Sequence, residues 1–183
     1  MNHAPAGTTT HGPAAGTAGV EGGAALTVLA VIAGSSSLHL AYVRDGEVTD
    51  RLDRAEPPGA PAVAELLRGF VDAHDRPVAV GHRLVHGGDV VRTPRAVDDP
   101  LRAALSELAP LAPLHLPPAL RLLDQLRQTL PDVPQVVCPD TAFHSGLPDA
   151  AATYPLPASW RRRWGLRRYG FHGLSYAYAL RRT

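Results

Sequence analysis

The stretch Val78 to Gly88, VAVGHRLVHGG, constrains the fold of this chain more than any other. Its apolar start is typical of a buried strand, and its end is crowded with His, Gly and Arg83. The glycines let a ligand approach the backbone, and arginine presents a planar fork to a carboxylate or a phosphate. The stretch therefore predicts a strand that leads into an anion-binding loop, while a surface turn after an edge strand explains the same residues.

Two further apolar runs also end in polar residues. Val28 to Ala33 has the pattern of a strand covered on both faces. It leads into Gly34 to Ser37, which is either a hairpin loop or a turn whose backbone N–H groups and hydroxyls bind phosphate. Gln135 to Cys138 is followed by Asp140, either a helix cap or a metal-binding or catalytic carboxylate. We expect these strand ends to converge on one cleft.

The remaining pattern alternates strands with helices. Two strands, Leu38 to Val43 and Val48 to about Leu52, flank an Asp-Gly pair that favours a hairpin turn. Helical spacing follows in three segments that begin near residues 61, 99 and 118. Between the last two, the proline-rich segment Ala109 to Pro118 predicts a stiff, extended loop that holds His115 in place. This order is the layout of a ribonuclease H-like α/β layer, a mixed sheet with flanking helices.

Composition excludes some chemistry and some locations. All 18 basic residues are arginine, so a reaction through a lysine amine is excluded. Cys138 is the only cysteine, which excludes an internal disulfide, and no apolar run approaches the roughly 20 residues of a membrane span. Residues 1–25 are mostly Ala, Gly, Thr and Pro, which predicts a disordered extension without a signal peptide. We therefore expect a cytoplasmic protein without membrane contact.

Charge is distributed unevenly along the chain. Residues 1–159 carry 11 Arg and 17 acidic residues, whereas residues 160–183 carry 7 Arg and no acidic residue. The basic end predicts contact with the preceding domain, a further part of the chain or a nucleic acid. Trp160 to Tyr169 mixes arginine with aromatic residues, as nucleic-acid sites do, but we rank that role last. The predicted organisation is an extension over 1–25, an α/β domain over 26–150 and a basic segment over 151–183.

Five motifs, in this order, resemble the acetate kinase family. They are AGSSSL at 33–38, GHRLVHGG at 81–88, LAPLH at 111–115, DTAFH at 140–144 and RRYGFHG at 167–173. The resemblance implies the superfamily of acetate and sugar kinases, heat-shock cognate proteins and actin, with two ribonuclease H-like domains around an ATP cleft. It also implies a homodimer that transfers a phosphoryl group between ATP and acetate, with Mg²⁺, to give ADP and acetyl phosphate.

The resemblance also assigns roles to residues of this chain. Arg83 would bind the substrate carboxylate or the phosphoryl group in flight, and Asp140 would be the family's catalytic aspartate. His172, with His115 nearby, would stabilise the transition state. The acetate methyl group would enter a small apolar pocket formed by Val85, Leu114 and Phe171. Because acetate is already ionised at neutral pH, Asp140 fits better as an organiser of Mg²⁺ and its waters than as a proton acceptor.

The nucleotide side departs from the family pattern. The resemblance implies that the nucleotide phosphates contact Gly34, Ser35, Ser36, Ser37 and His39. Ile32 stands where the family has an asparagine associated with Mg²⁺, and it offers no hydrogen-bonding atom. His39 stands in place of a lysine and is shorter and usually neutral at pH 7. The metal ligands are therefore undefined, apart from Asp140 acting through a water.

Members of the family are considerably longer, so the resemblance places the second domain and the adenosine site outside these 183 residues. Three hypotheses follow: an acetate kinase fragment with little activity alone, a non-catalytic remnant that binds a partner kinase subunit, and a propionate kinase. Acetate and propionate are hard to separate, because one methylene in an apolar pocket changes binding by about 1 to 3 kcal/mol. We also expect uncovered apolar surface, and hence association or marginal stability.

Overall fold

A computed structural model describes residues 26–58 and 60–183, and the extension predicted over residues 1–25 lies outside them. The strands are β1 Thr27–Ala33, β2 Leu38–Arg44, β3 Glu47–Arg54, β4 Ala79–Leu84, β5 Arg95–Ala96 and β6 Gln135–Pro139. They form one mixed sheet in the order β3-β2-β1-β4-β6-β5. The predicted sheet with flanking helices is confirmed, whereas the segment boundaries at residues 150 and 151 remain predictions.

The helices are α1 Pro61–Asp72, α2 Asp99–Glu107, α3 Leu116–Thr129, α4 Asp149–Ala152, α5 Ala158–Trp164 and α6 Gly173–Arg182. Short 3₁₀ helices occupy Ala109–Leu111 and Asp140–His144. Asp98 caps α2, since its carboxylate accepts a hydrogen bond from the Leu101 backbone N–H at 2.8 Å. Across the described ranges, none of these helices has the length and apolar character that crossing a membrane demands.

The centre of the sheet is parallel, and this brings the predicted strand ends together. β4 pairs in parallel with β1 on one side and with β6 on the other. The three strands end at Ala33, Leu84 and Pro139, so their carboxyl ends lie along one edge of the sheet. The expected convergence of the polar strand ends is therefore confirmed at the level of topology.

β1, β2 and β3 form an antiparallel meander on one side of this centre. The turn between β2 and β3 is the predicted Asp-Gly pair, with φ of 51° at Asp45 and 88° at Gly46. Two successive left-handed residues give a hairpin turn whose twist matches that of the strands, and glycine adopts this conformation without steric cost. The turn pairs Arg44 with Glu47 and Val43 with Val48, and a bulge between Tyr42 and Val43 then shifts the rest of the β2–β3 register by one residue.

One face of the sheet carries the core. Buried and less buried residues alternate along the strands. The buried strand residues form one cluster with apolar side chains of the helices, among them Leu29, Val31, Leu40, Val80, Val137, Leu67, Leu105, Leu122 and Leu126. The expectation that β1 is covered on both faces is wrong: Ile32 is 43% exposed, because the core helices pack on the opposite face. We call the side that bears Ile32 the open face.

The proline-rich segment is not the extended loop that the sequence predicts. Ala109–Leu111 forms a 3₁₀ helix, and the His115 backbone N–H donates to the Ala112 carbonyl oxygen at 3.0 Å. α3 begins at Leu116, two residues before the predicted start. The physical reason is that the fixed φ of proline suits the first turn of a helix as well as an extended chain.

Several exposed apolar side chains lie in the last part of the chain. Those with more than half of their surface exposed are Trp160, Trp164, Tyr176, Tyr178 and Leu180. Arginines of the same segment lie over two of these rings, at 5.3 Å for Arg163 over Trp164 and 5.5 Å for Arg182 over Tyr178. The segment thus presents arginine and aromatic surface together, and the expectation of association stays a prediction.

We predict that His82 makes the fold sensitive to acid. Its imidazole is buried in the core and contacts the Gln135 side-chain oxygen at 2.8 Å, and burial lowers its pKa from 6.5 to about 4. Between these pH values the unfolded chain binds more protons, so the free energy of unfolding falls by about 3 kcal/mol as pH drops from 6.5 to 4.

The measurement is urea unfolding across this pH range for the wild type and for His82→Gln, which keeps a donor for Gln135. The variant should show a shallower pH dependence than the wild type. Equal slopes for the two proteins would contradict the prediction.

Two glycines should respond in opposite ways to alanine. A β-carbon on Gly87 would lie 2.5 Å from the Val91 carbonyl oxygen and 2.6 Å from a Pro139 ring carbon, so Gly87→Ala should destabilise the fold by about 1 to 3 kcal/mol. Gly69, inside α1, has open space there, and Gly69→Ala should stabilise by about 0.5 to 1 kcal/mol. Chemical denaturation of both variants tests this, and destabilisation by both would contradict it.

Candidate active site

A row of side chains crosses the open face of the sheet. Strand pairing sets Asp53 beside His39, His39 beside Ile32, Ile32 beside Arg83 and Arg83 beside Cys138. Paired residues on neighbouring strands point to the same face. His39 and Arg83 are thus separated by two interstrand spacings, roughly 10 Å. We call these five residues the open-face row.

Arg83 and Asp140 form the buried ion pair of the site. The Arg83 Nη2 donates to Asp140 Oδ2 at 2.6 Å, and the exposed fractions of the two side chains are 22% and 3%. β4 brings the arginine, and the 3₁₀ helix directly after β6 brings the carboxylate. A guanidinium has five N–H donors, so the exposed part of Arg83 keeps donors for an anionic ligand.

The loop after β4 is held rigidly against the end of β6. The Gly87 backbone N–H donates to the Thr141 hydroxyl at 3.0 Å. The Gly88 backbone N–H donates to Nδ1 of His86 at 2.8 Å, so the His86 proton is on Nε2. Burial lowers the pKa of His86, which favours this neutral form. The loop therefore offers an N–H donor, Nε2 of His86, and the His86 ring packs edge-on against Tyr169 and Phe171.

The start of α6 packs directly on Asp140. A β-carbon at Gly173 would overlap the Asp140 carbonyl oxygen, so only glycine fits this contact. His172 precedes it with φ of 56° and ψ of 27°, a left-handed conformation that is uncommon for a residue with a side chain. His144 contacts the Phe171 carbonyl oxygen through Nε2 at 3.0 Å. These contacts set His172, which is exposed, next to the 3₁₀ helix of Asp140.

The predicted apolar pocket is brought together only in part. Phe171 is 43% exposed, and its ring lies 5.7 Å from the His86 ring, one residue after the half-buried Val85. Leu114 is 72% exposed, and His115 stands at the start of α3. Within residues 26–58 and 60–183, no hydrogen bond or aromatic contact connects Leu114 or His115 to the ion pair.

The turn between β1 and β2, Gly34 to Ser37, is closed by a hydrogen bond from the Gly34 N–H to the Ser37 carbonyl oxygen at 2.8 Å. We call it the serine turn. Ser37 Oγ lies 3.1 Å from His39 Nε2, and His39 Nδ1 lies 2.7 Å from Asp53 Oδ1. The hydrogen bond from His39, aided by the nearby Arg51, lowers the pKa of Asp53. The predicted phosphate contacts Ser37 and His39 are thus already linked to each other.

The donor set fits nucleotide phosphates better than a directly bound metal. Ser35 and Ser36 are exposed in the serine turn, where hydroxyls and backbone N–H groups suit phosphate oxygens. In the described part of the chain there is no group of three or more His, Cys, Asp or Glu side chains able to hold a metal ion. The Asp140 oxygen that Arg83 leaves free could still hold the waters of Mg²⁺.

Sequence reasoning missed three contributors to the site. Thr141 anchors the loop after β4, His86 presents an N–H, and Tyr169 packs on His86 with ring centroids 4.6 Å apart. The Tyr169 hydroxyl in turn donates to Asp89 at 3.2 Å. These three residues lie within the recognised motifs and Asp89 lies beside one, but no pattern in the sequence shows that these motifs contact one another.

Comparison with known proteins supports one family. The sequence model of the acetokinase family matches residues 46–183. An acetate kinase of Synechococcus sp. is 50% identical over 104 residues, which cover 57% of this chain and 26% of that protein. The crystal structure of the Entamoeba histolytica acetate kinase superposes with a TM-score of 0.68 at 30% identity, over 83% of this chain and 44% of that chain.

A solved propionate kinase from Francisella tularensis is similar as well. It superposes with a TM-score of 0.73 at 26% identity, over 84% of this chain and 47% of that chain. The chain therefore spans a quarter of the length of the Synechococcus relative and less than half of the solved structures. These superpositions confirm the predicted actin-like, ribonuclease H-like fold.

We predict strong coupling between Arg83 and Asp140. Arg83→Ala should destabilise the fold by about 3 kcal/mol, because it leaves a buried carboxylate without its counter-charge. In the Arg83→Ala background, Asp140→Ala should then lower the free energy of unfolding far less than it does in the wild type. The exposed pair Arg76–Asp132, at 3.3 Å, is the control and should show coupling of at most about 1 kcal/mol.

Urea unfolding of the two single variants and the double variant of each pair gives the coupling energies. Additive effects of Arg83→Ala and Asp140→Ala would contradict the prediction.

Proposed function

Because the chain belongs to the acetokinase family, we propose that it forms the acetate-binding side of an acetate kinase. The proposed reaction transfers the γ-phosphoryl group of ATP directly to acetate and gives ADP and acetyl phosphate. A carboxylate oxygen of acetate forms the new bond to phosphorus while the bond to ADP breaks. The proposal includes a cytoplasmic location, which suits the single cysteine, and a homodimer.

The Arg83–Asp140 ion pair is the observation that carries this proposal. Asp140 accepts one Nη2–H at 2.6 Å and so fixes the guanidinium, while the exposed part of Arg83 faces out from the strand ends. A fixed guanidinium binds a carboxylate or a phosphoryl group with little loss of side-chain entropy. Arg83 would therefore neutralise charge on acetate and on the phosphoryl group as it moves.

His172 is a second source of positive or hydrogen-bonding character. The packing of Gly173 on Asp140 holds His172 next to the 3₁₀ helix. The His172 backbone is left-handed, and strain of this kind is concentrated at functional sites. Phe171 and Val85 would receive the acetate methyl group. In this proposal Leu114 and His115, which lie just before α3, complete the pocket only when their segment moves toward Phe171 and Val85, since Leu114 lies open to solvent.

The nucleotide would lie along the open-face row. The serine turn would hold its phosphates, and the distance of roughly 10 Å between His39 and Arg83, set by two interstrand spacings, leaves room for a phosphate chain to extend toward acetate. Bound Mg²⁺ would neutralise phosphate charge. Asp140 is the residue of this set that would hold its waters.

The test is acetyl phosphate formation by the purified chain with ATP, Mg²⁺ and acetate, trapped as the hydroxamate. Arg83→Gln should lose turnover, because it removes the charge at the strand ends. Arg121→Gln, which alters an exposed arginine on α3, is the matched control and should keep it. His172→Gly should lose turnover with little change in stability, because relief of about 1 kcal/mol of left-handed strain offsets the chain entropy of glycine.

Turnover that survives Arg83→Gln would contradict the proposed role of Arg83. A wild-type chain without turnover would favour the alternative of a non-catalytic remnant that binds a partner kinase subunit. The same assay with propionate tests the second substrate, and a clear preference for propionate would favour a propionate kinase.

A further inference from the structure

Ser37 of the serine turn begins a hydrogen-bonded chain of Ser, His and Asp, and phosphate binding does not require this order of groups. Ser37 Oγ lies 3.1 Å from Nε2 of His39, and Nδ1 of His39 lies 2.7 Å from Oδ1 of Asp53. Arg51 Nε lies 3.4 Å from the other oxygen of Asp53 and steadies the carboxylate. One ring nitrogen of His39 thus contacts a possible nucleophile, Ser37, and the other contacts a carboxylate, Asp53, that can orient the ring.

Strand geometry explains why these three residues meet. Ser37 directly precedes β2 and His39 is its second residue, and the chain sets the Ser37 hydroxyl 3.1 Å from the His39 ring. Asp53 is the residue directly opposite His39 in the antiparallel β2–β3 pairing. Gly34 leaves space for the hydroxyl, since a β-carbon there would lie 2.5 Å from Ser37 Oγ.

The hydrogen bonds also fix the tautomer of the histidine. A carboxylate accepts but does not donate, so Nδ1 of His39 carries a proton toward Asp53. In the neutral ring, the lone pair of Nε2 then faces the Ser37 hydroxyl and can take its proton. This is the arrangement in which serine is activated as a nucleophile.

We propose that Ser37, His39 and Asp53 form a nucleophilic site that reacts with small activated acyl esters. Ser37 Oγ attacks the carbonyl carbon while its proton passes to Nε2 of His39. The ester bond then breaks and His39 gives this proton to the leaving oxygen, so the alcohol is released and the ring is neutral again. The product is acetyl-Ser37 when the ester is an acetate. Water then attacks this ester, gives its proton to His39, and releases acetate, and Ser37 regains its proton.

The surroundings of the site suit a small ester and a modest rate. Ser35 and Ser36 are exposed, and in the described ranges their backbone N–H groups make no hydrogen bond to another backbone group, so they remain available to a developing oxyanion. The His39 and Asp53 side chains are 45% and 49% exposed, so water and salt screen the attraction between the Asp53 carboxylate and the imidazolium that forms on His39. The reaction uses no nucleotide and no part of the Arg83–Asp140 ion pair. Because Ser37 and His39 are also the proposed contacts of the nucleotide phosphates, bound nucleotide should block it.

The test is incubation of the purified chain with p-nitrophenyl acetate in the absence of ATP. We expect an initial release of p-nitrophenolate and one acetyl group on the peptide that contains Ser37, found by mass spectrometry. Ser37→Ala should abolish the label, and Asp53→Asn should slow its formation by about tenfold or more. Ser159→Ala, at an exposed serine in the first turn of α5, is the control and should be labelled like the wild type.

Other outcomes would overturn the proposal. No acetyl group on Ser37 in the wild type would do so. An unchanged initial release in Ser37→Ala, with a loss in His39→Ala, would show that the imidazole reacts by itself. Thermal unfolding of each variant guards against misfolding. Ser37→Ala should melt with the wild type, because among the described residues its hydroxyl makes no side-chain hydrogen bond besides the one with His39.

Discussion

The parallel pairing of β1, β4 and β6 is the constraint on which the candidate site depends. It aligns three strand ends and places Ile32, Arg83 and Cys138 side by side. Asp140, the first residue after β6, then reaches Arg83 at 2.6 Å. The loop after β4 and the start of α6 both pack on the 3₁₀ helix that begins with Asp140. A shift of one residue in the β4–β6 register would turn Arg83 into the core and remove the ion pair.

The sequence predicted the parts of this arrangement that depend on local chemistry. Apolar runs that end in Arg83 and Asp140 located both members of the ion pair, and the Asp-Gly pair at 45 and 46 located the β2–β3 turn. The proline-rich segment was predicted wrongly, because proline is compatible with an extended loop and with the first turn of a helix.

Long-range pairing could not be read from the sequence. The contact between His39 and Asp53 depends on strand register, and the packing of Gly173 on Asp140 depends on where α6 returns to the sheet. His86 lies three residues after Arg83 in the same motif, yet its ring contacts Tyr169, which is 83 positions further along the chain. These contacts explain why individual site residues were predicted and their connections were not.

The most direct test of this account is whether acetate binds at the strand ends. In an NMR titration of the isotope-labelled chain with acetate, we expect shifts in the backbone amides of Leu84 to Gly88 and of Phe171 to Leu174, and none in Arg83→Gln. Shifts in the wild type that persist in Arg83→Gln, or that occur only elsewhere on the chain, would contradict the assignment of Arg83, held by Asp140, as the anion-binding residue.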